Sequence, residues 1–487
     1  MPRELQDFKQ LLLGYACEYG DALAVQGLDA QFTYRQLLAE VNRRAQALRA
    51  RQPGALMLAL DNGPELLFWD LAALFTGRPC VTVPSFFTPS QMRHCIAQSG
   101  ATQVLFAHPW ADVFSQSGFV QQDALWERQL SPSVALPAGT AKITYTSGST
   151  GTPKGVCLGA DAILRVAREL ELASRPTEPE RHLAVLPMGV LLENLGTYAA
   201  LSAGACVQIY PQAQLGMTGS SQVDFTRWLM AIAQSAAHSL ILVPQLLMGL
   251  VTAIERGSMD VGPLRFVAVG GARVSPSLLA RAEAVGLPVF EGYGLSECAS
   301  VVALNRPGAV RPGSVGRPLP HARVQIAEDG EVLVAGSVLL GYLGEAAVSS
   351  PWWATGDLGH FDEDGYLYLS GRKKHQFINS FGRNVNPEWV ETELTQGGVI
   401  AQAFVHGEGM AHNLALLWPF DPSVSDTAIE QAVQRSNATL PDYAKVHAWR
   451  RLPGPLSAGE QTLTANGRLR REAILQRYQS LLSDIPS

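Results

Sequence analysis

The sequence predicts an α/β protein: a large N-terminal domain of layered α/β subdomains with a small β-rich subdomain, then a small α+β C-terminal domain. Three observations predict it. Short apolar runs alternate with amphipathic helical stretches up to about residue 320, the pattern of strands feeding helices in largely parallel sheets. Strand-like runs then flank two acidic turns, the pattern of antiparallel hairpins. A basic stretch, Gly371-Arg372-Lys373-Lys374, follows the last of these strands and marks a boundary between residues 1–371 and 372–487.

In chain order, the apolar run Leu56–Leu60 reads as a strand and Pro64–Phe75 as the helix after it. The same alternation gives a strand at Ser239–Val243 with a helix at Gln245–Glu255, and a strand at Phe266–Val269 with a helix at Ser277–Ala284. Val324–Ala327 and Glu331–Ala335 flank Glu328-Asp329-Gly330 as a hairpin. His360–Phe361 and Tyr366–Ser370 flank Asp362-Glu363-Asp364-Gly365 as another; this turn lacks the later ligands of a calcium loop. Asn386-Pro387-Glu388 reads as a cap with proline in the first turn of a helix running to about Thr395.

A chain of 487 residues with 47% hydrophobic content has room for two or three domains with large cores. A net charge of −6 argues against general nucleic-acid binding. The six cysteines form no C-x-x-C pair, so reduced thiols fit better than a zinc site or disulfides. The opening MPRELQDFKQ has no signal-peptide core, and no apolar run is long enough to span a membrane. A cytoplasmic protein without a transmembrane segment is expected.

The stretch TYTSGSTGTPKGV, Thr144–Val156, carries the first chemistry. Glycines allow close backbone approach to a ligand, and free N–H groups in such a turn bind anions. Hydroxyl donors and Lys154 suit a polyphosphate. The Walker-type loop has lysine directly after glycine, whereas Pro153 precedes Lys154 here, so another use of ATP is implied. Further stretches follow in order: LPMGVLLEN (Leu186–Asn194), VGGARVS (Val269–Ser275), EGYGLSE (Glu291–Glu297), ATGDLG (Ala354–Gly359), GRKKHQFINSFGRNVNPEWVE (Gly371–Glu391) and LTANGRLRR (Leu463–Arg471).

This series resembles the adenylate-forming superfamily of acyl- and aryl-CoA synthetases, luciferases and peptide-synthetase adenylation domains, from Thr33 to the end of the chain. SFGRNVNPEWVE is most similar to long-chain fatty acyl-CoA synthetases. The resemblance implies an ATP-dependent acid–thiol ligase that makes an acyl-AMP and passes the acyl group to CoA or to the phosphopantetheine of an acyl carrier protein. It also implies a C-terminal domain that is mobile, swinging between two poses.

The resemblance implies a role for each matched residue. Thr146, Ser147, Gly148, Ser149, Thr150, Gly151, Thr152 and Lys154 would wrap the β- and γ-phosphates. Ser296 would lie near the α-phosphate and Glu297 on Mg²⁺. Gly271, Ala272, Glu291, Gly292, Tyr293 and Gly294 would contact the nucleotide, with Tyr293 near adenine. Asp357 would accept the ribose hydroxyls, an apt use of a carboxylate, and Arg372 would add a ribose or phosphate contact. Lys374 takes the hinge position. Gly382 would lie in the loop that approaches during thioester formation. Val190, Leu191, Gly270 and Gly271 would line the acid pocket.

Two departures stand out. Arg468 occupies the position of the family's catalytic lysine; it keeps the charge but is a planar fork rather than a point charge. Val190 stands where long-chain synthetases often carry histidine, which makes the pocket mouth more apolar. Leu191 falls where amino-acid-activating domains place an aspartate, and an unpaired ammonium beside leucine would be costly. A medium- or long-chain fatty acid is therefore expected, with an aryl acid second. Arg468 also leaves open a protein that binds ATP or acyl-AMP with little turnover.

Overall fold

The computed structural model describes residues 2–483 apart from 85, 108, 130–135, 147–152, 220–221 and 465–466. Two large sheets enclose a layer of helices. At the heart of the first lie four parallel strands, ordered Arg181–Leu183, Ser239–Leu242, Phe266–Val269 and Val289–Tyr293. Antiparallel Ala303–Leu304 and Arg317–Pro318 extend it past the last of these. The second sheet is built on parallel Ala55–Ala59, Cys80–Thr82, Ala101–Phe106 and Thr140–Thr146, and the antiparallel Lys154–Gly159 follows.

The expected elements form within a residue or two of their predicted positions, except that His360–Phe361 is only the end of a longer strand, Trp353–Phe361. The helix Pro64–Thr76 starts with proline in its first turn and stops at Gly77, whose φ of 69° is left-handed. Its side chains from Leu66 to Leu74 are all buried, as befits a helix between two sheets. The two acidic hairpins are joined into one four-stranded antiparallel sheet, Ala322–Ile326, Glu331–Gly336, Trp353–Phe361 and Leu367–Arg372. Beyond it, the Asn386 side chain accepts from the Glu388 N–H and caps the helix Pro387–Thr395. That helix and Asp426–Asn437 pack on a three-stranded sheet, Ile400–His406, Asn413–Pro419 and Val446–Arg451.

One buried polar cluster fixes the helix layer. Lys142 Nζ donates to Asp70 Oδ1 at 2.6 Å and to Asn194 Oδ1 at 2.6 Å, and the Tyr198 hydroxyl donates to Asp70 Oδ2 at 2.5 Å. Burial alone would raise the Asp70 pKa, but Lys142, Tyr198 and Asn194 together hold it below the usual carboxylate range. A buried pair is tolerated when its remaining polar positions are bonded, as they are here. Asn194 and Tyr198 belong to the helix Leu191–Ser202, so the cluster ties that helix to the second sheet.

Candidate active site

The parallel strands Phe266–Val269 and Val289–Tyr293 end side by side, and the crevice beyond such strand ends is where open α/β sheets bind ligands. Gly270 and Gly271 follow the first strand, with Gly271 at a φ of +81°. Gly294 follows the second. A Cβ there would sit 1.7 Å from the Ser300 carbonyl oxygen, so no other residue fits without moving the backbone. Ser296–Cys298 make one 3-10 turn, and Ala299 and Ser300 then take positive φ of 51° and 81°. Left-handed backbone at two successive non-glycine residues is stored strain of the kind found at ligand sites.

That turn leaves Ser296 and Glu297 half-buried at the crevice. Tyr342 donates its hydroxyl to Glu297 Oε1 at 2.9 Å, and its ring lies 4.9 Å from the Lys154 ammonium. Lys154 also pairs with Glu345 at 3.3 Å. Tyr342 thus joins two groups that the sequence placed on the metal and on the phosphates. The Tyr342 hydroxyl is pushed up by burial and by Glu297, so it remains a donor. A single carboxylate facing a crevice fits Mg²⁺, which takes one or two carboxylates together with substrate phosphates. Among the described residues there is no cluster of three or more His, Cys, Asp or Glu side chains able to hold a metal. Ser147, Gly148, Ser149, Thr150, Gly151 and Thr152 lie outside the described residues.

Asp357 and Arg372 face each other across neighbouring strands. Arg372 Nε lies 2.8 Å from Asp357 Oδ1, and the Tyr293 hydroxyl donates to Oδ2 at 2.6 Å. Burial raises the Asp357 pKa, opposed by Arg372 and Tyr293. The Tyr293 ring is packed in the core with Cys298 and Val302, so its hydroxyl bond to Asp357 is the contact the structure records. Glu291 alternates with Gly292 and turns its side chain to the opposite face of the strand, where burial lifts its carboxyl to about 8 against the pull of Arg273.

The C-terminal domain contributes Arg468. Its hairpin is closed by Thr464 N–H to the Arg468 carbonyl at 2.7 Å and by Arg468 N–H to Thr464 Oγ1 at 3.0 Å. The guanidinium donates to the Gly271 carbonyl at 3.4 Å and is otherwise open to the crevice. Desolvation by the crevice walls and the charge of Arg372 lower its pKa, with Asp357 and Glu297 opposing. Arg471, three residues on, pairs with buried Glu391 and roots the hairpin in its domain. Ser277 Oγ donates to Gln396 Oε1 at 2.7 Å across the domains. Lys374 is exposed just after Arg372, the last residue of its strand, and Gly382 sits in an open turn beside Phe381, which is 72% exposed. This pose therefore presents Arg468, not the Gly382 turn, to the crevice.

Of the expected pocket residues, Leu191 is buried in the main core while Val190 is half-buried at the start of its helix. Leu192, from the same LPMGVLLEN stretch, is half-buried beside it. The sequence reading missed the groups that hold the preceding loop. Glu193 accepts from the Leu186 N–H at 2.8 Å and lies 3.0 Å from His182 Nε2. Asn62 accepts from the Met188 N–H at 2.8 Å.

Fold and site define an adenylate-forming enzyme. Residues 15–356 match the AMP-binding enzyme family and residues 374–485 match the AMP-binding enzyme C-terminal domain; the chain belongs to this family. Within it, the chain is an AMP-forming ligase of the acyl- and aryl-CoA kind. It is 29% identical over 438 residues to an indoleacetate–CoA ligase of Aromatoleum aromaticum, covering 79% of this chain and 82% of that one. It is 26% identical over 557 residues to a long-chain-fatty-acid–CoA ligase of Mycobacterium tuberculosis, covering 90% of each. The fold is similar to that of the o-succinylbenzoate CoA synthetase of Bacillus subtilis in complex with its acyl-adenylate, with a TM-score of 0.77 at 23% identity over 95% of this chain and 97% of that one. Among the described residues no helix is long and apolar enough to cross a membrane.

Proposed function

We propose that the protein joins an apolar carboxylic acid to CoA through an acyl-AMP intermediate. The observation that carries this reading is the reach of Arg468 from the C-terminal domain to the Gly271 carbonyl, within the crevice that also holds Asp357 and Glu297. The acid's carboxylate oxygen attacks the α-phosphorus of ATP and pyrophosphate leaves. Negative charge then builds on the phosphoryl oxygens, and preorganised donors aimed at that charge supply most of the catalysis. Arg468 takes the lysine's role here, because a guanidinium stays charged and can make two parallel bonds to such oxygens. Lys154 carries the outer phosphates once it leaves Glu345. Asp357, oriented by Arg372 and Tyr293, receives the ribose hydroxyls. Mg²⁺ held at Glu297 would neutralise charge on the phosphates.

In the second half-reaction the C-terminal domain swings about Lys374 and the Gly382 turn replaces Arg468. The CoA thiol then attacks the acyl carbon, and AMP leaves with the oxygen the acid supplied. The apolar character of the acid is supported by Val190 and by Leu191, where an amino-acid substrate would need a carboxylate partner for its ammonium. Alkyl and aryl acids both fit that requirement, and ligases for both are among the relatives. Cytoplasmic placement belongs to the same reading and is supported by six free cysteines. Acid-dependent exchange of labelled pyrophosphate into ATP tests the proposal. Fatty and aryl acids are expected to drive it and amino acids are not; fastest exchange with an amino acid would overturn the choice of acid.

A further inference from the structure

The strands that carry the crevice also show how deep the acid pocket runs. On Phe266–Val269, Phe266 and Ala268 point to the same face, and Gly270 continues that alternation. On Val289–Tyr293, Phe290 and Gly292 share it, because Ala268 pairs with Phe290 in the register. This face packs against the helix Leu191–Ser202, since Phe266, Phe290, Leu191 and Leu195 belong to one core cluster. In the middle of a sheet covered on this side, Ala268 and Gly292 nevertheless remain half-buried rather than sealed, as do Val190 and Leu192 opposite. The small side chain of Ala268 and the bare Gly270 leave room between sheet and helix, while Leu304 of the neighbouring strand closes over Gly292, where a Cβ would come within 2.9 Å of its Cδ1.

This space meets a barrier. The Phe266 and Phe290 rings stack with centroids 4.7 Å apart and planes inclined by 17°. Both residues are buried, at 7% and 6% exposure, below the half-buried Ala268. Beside them the helix presses directly on the sheet: a Cβ on Gly196 would come within 2.2 Å of Ile241 Cδ1, and Ile241 neighbours Ala268 in the register. At about 3.3 Å per residue, Phe290 lies roughly 7 Å below Gly292 and Phe266 roughly 13 Å below Gly270.

We infer that the Phe266–Phe290 stack is the floor of the acid pocket and sets substrate length. The acid is a compact one, with a single aryl group or a short alkyl chain, and a long-chain fatty acid is excluded. The inference rests on the ligase reading above and narrows its substrate class. It departs from the long-chain expectation raised by SFGRNVNPEWVE, a stretch that lies in the C-terminal domain.

Pyrophosphate exchange by the full-length protein, with phenylacetate, octanoate and palmitate as the acids, tests it. Phenylacetate and octanoate are expected to support exchange, with kcat/KM for palmitate at least about a hundredfold lower. Phe290→Ala removes half of the floor and is expected to raise the palmitate-to-octanoate ratio by about tenfold or more. Phe266→Leu, a milder change, raises it less. AMP affinity, measured on each variant, reports that the fold is intact; should Phe290→Ala fail to fold, the ratio in Phe266→Leu decides. Palmitate turned over as well as octanoate by the unaltered protein overturns the floor while leaving the ligase reading in place. An unchanged ratio in folded variants also overturns it. Exchange with no acid removes the ligase reading and the floor together.

Discussion

The proposed nucleotide corner and the proposed acid pocket share two strands and are built in opposite ways. The corner is made of charged and hydroxylated side chains that hold one another: Arg372 and Tyr293 on Asp357, Tyr342 on Glu297, and Lys154 beside both Tyr342 and Glu345. The proposed pocket is made of what its strands lack, with Gly270 and Ala268 over two phenylalanines. Every substrate pair uses the same ATP, so the corner gains from fixed directional partners. The proposed acid is apolar below its carboxylate, so shape would select it. Changes in the corner should therefore scale all acids alike, and changes in the pocket should reorder them.

The largest expected effect is at Arg468. Arg468→Ala should slow adenylation by about a hundred- to a thousand-fold, the usual cost of one transition-state donor. Thioester formation from supplied acyl-AMP should be little affected, because the domain has then turned Arg468 away. Stopped-flow measurement of the two half-reactions checks this, and a loss that differed between aryl and alkyl acids would blur the division between corner and pocket. Asp357→Ala comes next. It removes an acceptor for two hydroxyls and should weaken ATP and AMP alike by about ten- to a hundred-fold in titration calorimetry. AMP affinity that stayed the same would remove Asp357 from the ribose.

Tyr342→Phe sharpens the comparison from a smaller effect. Losing one hydrogen bond to a carboxylate should raise the KM for Mg·ATP about three- to tenfold. The ring over Lys154 remains, and the ranking of acids should not move. Steady-state kinetics at varied Mg²⁺ read both quantities. The smallest effect concerns Glu291, whose side chain lies behind the strand that the two regions share. Its folded pKa of about 8 exceeds its unfolded value, so the folded state binds the extra proton between these limits. Its contribution to stability is full below the unfolded pKa and is lost as pH rises toward 8. Glu291→Gln should flatten that decline in melting temperature between pH 5 and 8 and leave acid preference unchanged.

The same division explains what the sequence revealed. The strand Phe266–Val269 and the Asn386 cap were legible because each depends on a few consecutive residues. Asp357, Glu297 and Arg468 could be proposed from the sequence because their motifs are short and ordered along the chain. Tyr342 was not, since it meets Glu297 from 45 positions away. The Lys142–Asp70 pair spans 72 positions and reads locally as two unrelated charges. Tyr293 was expected near adenine, yet its hydroxyl bond to Asp357 depends on how two sheets meet. The proposed pocket floor was hidden for the same reason. Phe266 and Phe290 each look like ordinary core residues until the strand register puts them on one face, where their rings stack.

The route through an acyl-AMP is tested most directly by following the acid's own oxygen. In the proposed reaction the carboxylate oxygen bonds to the α-phosphorus and stays there when the thiol breaks the acyl C–O bond. With an acid labelled with heavy oxygen in its carboxylate, mass spectrometry of the products of full turnover with CoA should find one labelled oxygen in AMP and none in pyrophosphate. Labelled inorganic phosphate accompanied by ADP, or AMP free of label, would contradict the acyl-AMP route.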